Sequence, residues 1–148
     1  MNWKTVFIGG AAFYIVQLII SMITGGFIHQ GVLVDAYAAT ASVWRPELIQ
    51  SPPDLAALMP MWITTGIVVA FVQALVFDQV RDAFNGSGVI QGLKFGLMLF
   101  VLVACTSASW SGVFNLPLTI WCWWLVEGLA MYLIGGMALG AVAAKLDK

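Results

Sequence analysis

The chain has 148 residues, of which 61% are hydrophobic and only 9% are charged, and its formal net charge is −1. A soluble domain carries about 25% charged residues, so this chain has too few polar side chains to cover a water-exposed surface. Nucleic-acid binding asks for a basic face, and the composition gives no reason to expect DNA or RNA as a partner. The expected solvent is a lipid bilayer, and the length allows one domain.

Four long apolar runs occupy most of the sequence, at about residues 5–28, 58–80, 89–110 and 116–144. Each is at least as long as the ~20 residues that a helix needs to cross the hydrocarbon of a bilayer. They predict an all-α fold in which residues 1–148 form a single polytopic membrane domain, an antiparallel bundle of four transmembrane helices. The first run exceeds the 7–15 apolar residues of a signal peptide, so we expect a retained helix.

The first run carries a polar face. Gln17, Ser21 and Thr24 follow one another at i, i+4 and i+7, which places them on one side of a helix. This side should look at other helices, because unpaired polar groups are disfavoured in lipid. His29, the only histidine, lies at the end of the run.

A long loop, about residues 31–57, follows the first run. Its segment 34–42 could form a short interfacial helix. Ser51 is expected to cap a helix that begins near Pro52 and continues into the second span. Pro60 is expected to kink or break that helix, because it lacks an N–H and clashes with the preceding turn.

A charged cluster is predicted where the second and third runs meet. Asp78, Arg81 and Asp82 end the second run, and Lys94 lies early in the third. Lys94 could extend its stem to the headgroups or pair with one of the two aspartates. The turn signal at 85–88 predicts a tight hairpin whose two helices are antiparallel neighbours.

Glycines predict a close contact between the third and fourth spans. Gly92 and Gly96, like Gly136 and Gly140, have the small-xxx-small spacing that lets helix backbones approach in lipid. Asn115 is expected to cap the fourth span.

Charge and tryptophan distribution predict an orientation. If the N-terminus is cytoplasmic, five of the six Lys and Arg residues, the last of them Lys148, lie on the inner side, and only Arg45 lies outside, as the positive-inside rule requires. Both termini would then be cytoplasmic, in a membrane of the bacterial inner-membrane type.

Every Trp except Trp3 maps to the outer side, where indole rings prefer the headgroup level. Trp121, Trp123 and Trp124 cannot all face one way on a helix, so at least one should point inward.

Glu127 is the residue most suggestive of chemistry, because a carboxylate within a membrane span is costly. With His29, Gln17 and Gln73 it forms the candidate buried polar or transport site. A carboxylate–imidazole pair formed with His29 would suit proton relay or half of a metal site. The competing interpretation is a hydrogen-bonded Glu127 that only holds the helices together.

No complete catalytic, metal or cofactor motif occurs in the sequence, and we therefore predict no catalytic residue, no metal and no cofactor. Cys105 and Cys122 do not form a Cys-x-x-Cys motif. We expect them to be buried and free, behaving as small apolar residues, with a structural disulfide as the alternative.

Three functional hypotheses remain. The first is a non-enzymatic accessory or assembly subunit, homo-oligomeric or part of a larger membrane complex, favoured by the glycine-rich faces and the uncharged outer hairpin at 111–117. The second is a small oligomeric channel or carrier that uses Glu127 as a proton, cation or ligand site. The third is a membrane enzyme or redox-cofactor protein, which the lack of paired ligands weakens.

Overall fold

The computed structural model describes residues 1–147, and in that part of the chain 85% of the sequence is helical and no strand is present. Lys148, which entered the charge argument, lies outside the described residues. Four helices are long and apolar enough to cross a membrane. The predicted all-helical class and the number of such helices are confirmed.

Six helices follow one another along the chain, two of them short. In order they are α1 (Thr5–Val32), α2 (Val34–Ala39), α3 (Pro46–Ile49), α4 (Leu55–Val80), α5 (Gly88–Ser111) and α6 (Leu118–Leu146). Single 3₁₀ turns follow α2 and α4, at Ala41–Val43 and Arg81–Ala83. The short helix expected between residues 34 and 42 is thus present as α2.

The long helices pack in the spatial order α4, α1, α6, α5. Neighbours run antiparallel, as shown by the pairs Gly9–Leu139 and Phe27–Trp123 between α1 and α6, and Gly10–Ala74 and Tyr14–Gly66 between α1 and α4. One end of the molecule therefore holds the start of α1 and the end of α6, and is called the terminal end. The opposite end holds α2, α3 and all tryptophans except Trp3, and is called the Trp-rich end.

The tightest contact joins α5 and α6 through glycines. A Cβ atom at Gly92 would lie 2.8 Å from the carbonyl carbon of Gly136 and closer still to its oxygen. Gly96 and Gly140 are in similar backbone contact with α6 and α5 respectively, and Gly88 extends the glycine row by one turn. The predicted small-xxx-small contact is confirmed.

Helices α4 and α5 do not pack against each other along their length, so the prediction that they are antiparallel neighbours is wrong. The turn does connect them, with Gly86 at a φ of 127°. They meet near the terminal end, where the rings of Phe77 and Phe95 lie 5.2 Å apart. A short turn ties two helix ends together, but the glycine contact gives α5 a closer partner in α6.

A smaller apolar cluster of Ile28, Leu33 and Ile120 lies at the Trp-rich end, and the larger apolar core lies toward the terminal end. It consists of Phe13, Ala70, Ala74, Phe77, Phe95, Leu139 and Ala143. Toward the Trp-rich end, only Leu58 is buried within residues 55–69 of α4, and no residue is buried within 101–111 of α5. The chain exposes 8775 Å², against about 7,400 Å² expected of a compact soluble monomer of this mass.

The start of α4 differs from the sequence prediction. The helix begins at Leu55 rather than near Pro52, and Asp54 caps it, its Oδ1 accepting the N–H of Ala57 at 3.2 Å. Asp54 reaches the free N–H groups of the first turn, which Ser51 is too far away to do. Pro60 does not interrupt α4.

Two other local predictions are wrong. Asn115 does not cap α6, because the helix begins at Leu118 after an extended Pro117 and has no side-chain cap. Cys105 and Cys122 are free, but both are exposed rather than buried. Each lies on a helix surface that no other element covers.

We predict that Gly92→Ala destabilises the protein, because the added methyl must displace the backbone of α6. Overpacking of this kind costs about 1–3 kcal/mol or more. The matched control is Gly128→Ala, where an added Cβ meets nothing within 4 Å. The measurement is the thermal unfolding midpoint of each variant in the same detergent, and equal midpoints for both variants would contradict the contact.

Candidate functional site

The candidate site lies at the Trp-rich end, where α1, α2 and α6 meet. Its centre is Glu127 on α6, whose side chain is 12% exposed. The Thr24 hydroxyl is within hydrogen-bond distance of Oε1, and His29 Nε2 lies 3.0 Å from Oε2. Both carboxylate oxygens are therefore held by side chains of α1.

The hydrogen bonds continue into α2. The Tyr37 hydroxyl lies 2.7 Å from His29 Nδ1, and it accepts the indole N–H of Trp124 at 2.9 Å. One arrangement satisfies every group: Trp124 donates to Tyr37, Tyr37 donates to His29 Nδ1, and His29 Nε2–H donates to Glu127. These residues and Thr24 are called the polar chain.

A change in helix type brings Thr24 and His29 to the same carboxylate. In an α-helix, residues five apart are separated by about 140° around the axis. The segment Gly25–Val32 is π-helical, and its i→i+5 bonding stacks such residues more nearly above one another. Gly25, Gly26 and Gly31 weaken the α-helical preference of this stretch. On α6, Glu127 and Trp124 share a face through ordinary i, i+3 spacing.

Aromatic rings enclose the α2 side of the polar chain. The ring of Trp44 lies 5.2 Å from that of Tyr37 and 6.0 Å from that of Trp124, and Trp121 lies 5.5 Å from Trp124. Trp121 is buried, which confirms that at least one of the three neighbouring tryptophans of α6 points inward. Apolar rings lower the local dielectric and so strengthen the hydrogen bonds beside them.

The phenol of Tyr37 stays neutral at physiological pH. Burial raises its pKa above the usual value, and the negative charge of Glu127 raises it further, while the hydrogen bond from Trp124 acts in the opposite direction. A neutral phenol keeps its hydrogen and can donate a hydrogen bond to the imidazole. The link between α2 and His29 is thus a hydrogen bond between uncharged groups whenever His29 is neutral.

The structure brings together two of the four residues of the sequence-predicted site. Glu127 and His29 are bonded, whereas Gln17 lies against Gly135 and Gln73 lies beside Tyr132. Gln73 Oε1 is buried and has no hydrogen-bond partner within residues 1–147. Neither glutamine is bonded to the polar chain.

The predicted charged cluster at the terminal end is formed in part. Arg81 donates to Asp147 at 2.6 and 3.0 Å and lies 3.7 Å from Asp78, which also accepts the backbone N–H of Asn2 at 2.7 Å. This cluster ties the end of α4 to both ends of the chain. Asp147 and Asn2 complete it, although no sequence pattern pointed to either residue.

Lys94 is not part of that cluster. Its ammonium donates to the carbonyl of Asn85 at 2.7 Å, within the turn between α4 and α5. The ion pair with Asp78 or Asp82 that the sequence allowed is not formed. Asp82 is exposed, and its charge acts on Arg81 without an ion pair being formed.

Sequence reasoning missed Tyr37 and Trp124 as site residues and placed Thr24 only on a polar face. A tyrosine within a short helix of an aromatic-rich loop carries no local signal of the partner it will meet. The spacing of Trp124 and Glu127 on one face of α6 is the one pattern that could have linked an outer tryptophan to the carboxylate.

Within residues 1–147, no group of three or more His, Cys, Asp or Glu residues is arranged to hold a metal ion. None of the family models, curated proteins or solved structures compared with this chain matches it. What the chain does is therefore inferred from its own geometry.

We predict that Tyr37→Phe destabilises the protein by about 1–3 kcal/mol, because it leaves His29 Nδ1 and the Trp124 N–H without a partner. Tyr14→Phe is the matched control, since the Tyr14 hydroxyl makes no hydrogen bond in the described part of the chain. The unfolding midpoints of the two variants in detergent are compared. An equally large fall in the unfolding midpoint of Tyr14→Phe would mean that the hydroxyl of Tyr37 has no special role.

Proposed function

We propose that this chain is a small, non-enzymatic integral membrane protein that works as one subunit of an oligomer or of a larger membrane complex. The supporting observation is the separation of α4 and α5 toward the Trp-rich end, where each leaves nearly its whole circumference uncovered. The four long helices would form an antiparallel bundle that is closed at the terminal end and completed by a partner at the other.

The proposed orientation places the terminal end in the cytoplasm of a bacterial-type cell. Lys4, Arg81, Lys94 and Lys145 lie at that end, while Arg45 lies in the loop at the Trp-rich end. This distribution agrees with the positive-inside rule. The tryptophans would then lie at the outer headgroup level.

The uncovered part of α5 is suited to a helix rather than to acyl chains. Its exposed residues include the small or hydroxyl-bearing Cys105, Thr106, Ala108 and Ser109, while Ala104 and Ser107 between them are half-buried. The hydroxyls of Thr106 and Ser109 bond to carbonyls of α5 itself, at 2.9 and 3.3 Å. Small residues let backbones approach closely, and close packing is the main source of helix association in lipid. We therefore place a subunit contact on this part of α5.

The native Cys105 tests the contact. In membranes, the variant Cys122→Ser, which retains only Cys105, should form a disulfide-linked dimer on mild oxidation. The control replaces both cysteines by serine and adds Met22→Cys, at a position of α1 that is 74% exposed and lies outside the proposed contact. Equal cross-linking of the two proteins, with a monomeric mass in lipid nanodiscs, would contradict the proposal.

A second candidate function is a small oligomeric channel or carrier in which Glu127 binds a proton or cation. The observation that favours it is the bonded Glu127–His29 pair. Helix α6 has 29 residues, or about 43 Å, against ~30 Å of hydrocarbon. If α6 is centred in the bilayer, Glu127 lies about 7 Å below the hydrocarbon boundary. A carboxylate at this depth is expensive to retain without a use.

We predict that proton flux into liposomes containing the protein is mostly lost in Glu127→Gln, because the amide cannot exchange a proton. Glu47→Gln makes the same chemical change on the loop helix α3, away from the polar chain, and should leave the flux unchanged. Flux that survives Glu127→Gln would exclude Glu127 as the conducting group, and a protein without flux would favour the first proposal alone.

A further inference from the structure

We infer that Glu127 binds and releases a proton, with H⁺ as its only ligand, and that Thr24 is the positioning residue that satisfies the carboxyl group in both states. This inference rests on the second candidate function and names the ligand of that site. It concerns binding at equilibrium and can be tested without any flux.

The Thr24 hydroxyl has three acceptors within reach but only one hydrogen. Its oxygen is in hydrogen-bond contact with Glu127 Oε1, and it lies 2.9 Å from the carbonyl of Ile20, one turn earlier in α1, and 3.4 Å from that of Ser21. A hydroxyl donates once and accepts through its lone pairs. Thr24 can therefore donate to Glu127 or to Ile20, but not to both.

Each choice corresponds to one protonation state of Glu127. When the carboxylate is ionised, Thr24 donates to Oε1 and His29 Nε2–H donates to Oε2. When Oε1 takes up a proton from water, the new O–H donates to the Thr24 oxygen, and Thr24 donates instead to Ile20. Only one O–H bond is formed, and every polar group has a partner before and after.

Other threonines of this chain, Thr40, Thr64 and Thr106, donate to the carbonyl one turn earlier, so the same bond is an ordinary alternative for Thr24. The second acceptor at Ile20 gives the protonated form an equally complete set of hydrogen bonds. Since an unsatisfied buried group costs about 1–3 kcal/mol, this second set removes the penalty that would otherwise oppose proton uptake.

The ligand set fits a proton and not a metal or alkali ion. Hard cations such as Ca²⁺ take 6–8 oxygen ligands, whereas one carboxylate and one hydroxyl face this point. The Tyr37 hydroxyl is occupied by His29 and Trp124. Within residues 1–147, no third acidic, histidine or cysteine side chain completes a metal site.

The titratable groups that face Glu127 are His29 from α1 and Tyr37 from α2. Both belong to the polar chain; the phenol stays neutral, and His29 Nε2–H donates to Oε2 in both states of Glu127. His29 is 35% exposed on its side-chain surface, against 12% for Glu127, so the site is more open on the side of His29.

Infrared difference spectra of the lipid-reconstituted protein, recorded over a pH titration without a gradient, test the inference. The carbonyl band of a protonated carboxylic acid should appear as the pH falls and be absent in Glu127→Gln. In Thr24→Val the midpoint should rise by about one pH unit, because the ionised form loses the stronger, charge-assisted hydrogen bond. Thr24→Ser restores the hydroxyl and should return the midpoint to that of the wild type.

Three results would overturn the inference. They are a wild-type spectrum without a Glu127-dependent band, a Thr24→Val midpoint equal to that of the wild type, and a midpoint that moves when Na⁺ replaces a bulky organic cation at constant ionic strength. A band that titrates in a protein without flux would support the inference and reject only the channel or carrier. Flux without such a band would reject the inference and support the channel or carrier.

Discussion

The carboxylate of Glu127 is the constraint around which the Trp-rich end is organised. It lies among helices that offer few polar groups, and a buried charge is tolerated only when donors surround it. The donors come from α1, and they reach the carboxylate because the helix changes to π geometry between Thr24 and His29. Tyr37 then holds α2 against the same imidazole. Leu33, Ala36 and Tyr37 also pack with Ile28 and Ile120 in an apolar cluster, so α2 is held by both polar and apolar contacts.

The two ends of the molecule are stabilised by different means. At the terminal end, glycines bring α5 and α6 into backbone contact, aromatic and small side chains fill the core, and Arg81 joins the end of α4 to Asp147. At the Trp-rich end, the first part of α4 and the last part of α5 are largely exposed, and the tryptophans and Tyr37 pack against a smaller apolar cluster of Ile28, Leu33 and Ile120. The candidate proton site thus lies at the end where α4 and α5 are free to meet other subunits, so the two proposed functions are compatible.

Much of the fold could be predicted from the sequence because its signals are local. The length of each apolar run determined the number of long helices, and glycine spacing located the contact between Gly92 and Gly136. The pairing of His29 with Glu127 could be anticipated, since both are costly in lipid and share a depth. The separation of α4 and α5 could not be anticipated, because it depends on which pairs among all four helices pack most closely. Nor could the role of Tyr37, since helix type and loop docking are decided by tertiary hydrogen bonds.

The polar chain has a structural role and can also change its protonation state. Different hydrogen bonds serve these two roles. Tyr37 bonds to His29 and Trp124 but not to Glu127, so the contact that fixes α2 does not require the carboxylate to be ionised. The bonds that change on proton uptake lie on the opposite side, at Thr24 and Ile20 within α1. A proton can therefore enter without releasing the loop, and its effect is directed into the last α-helical turn of α1. That turn adjoins the π-helical segment Gly25–Val32.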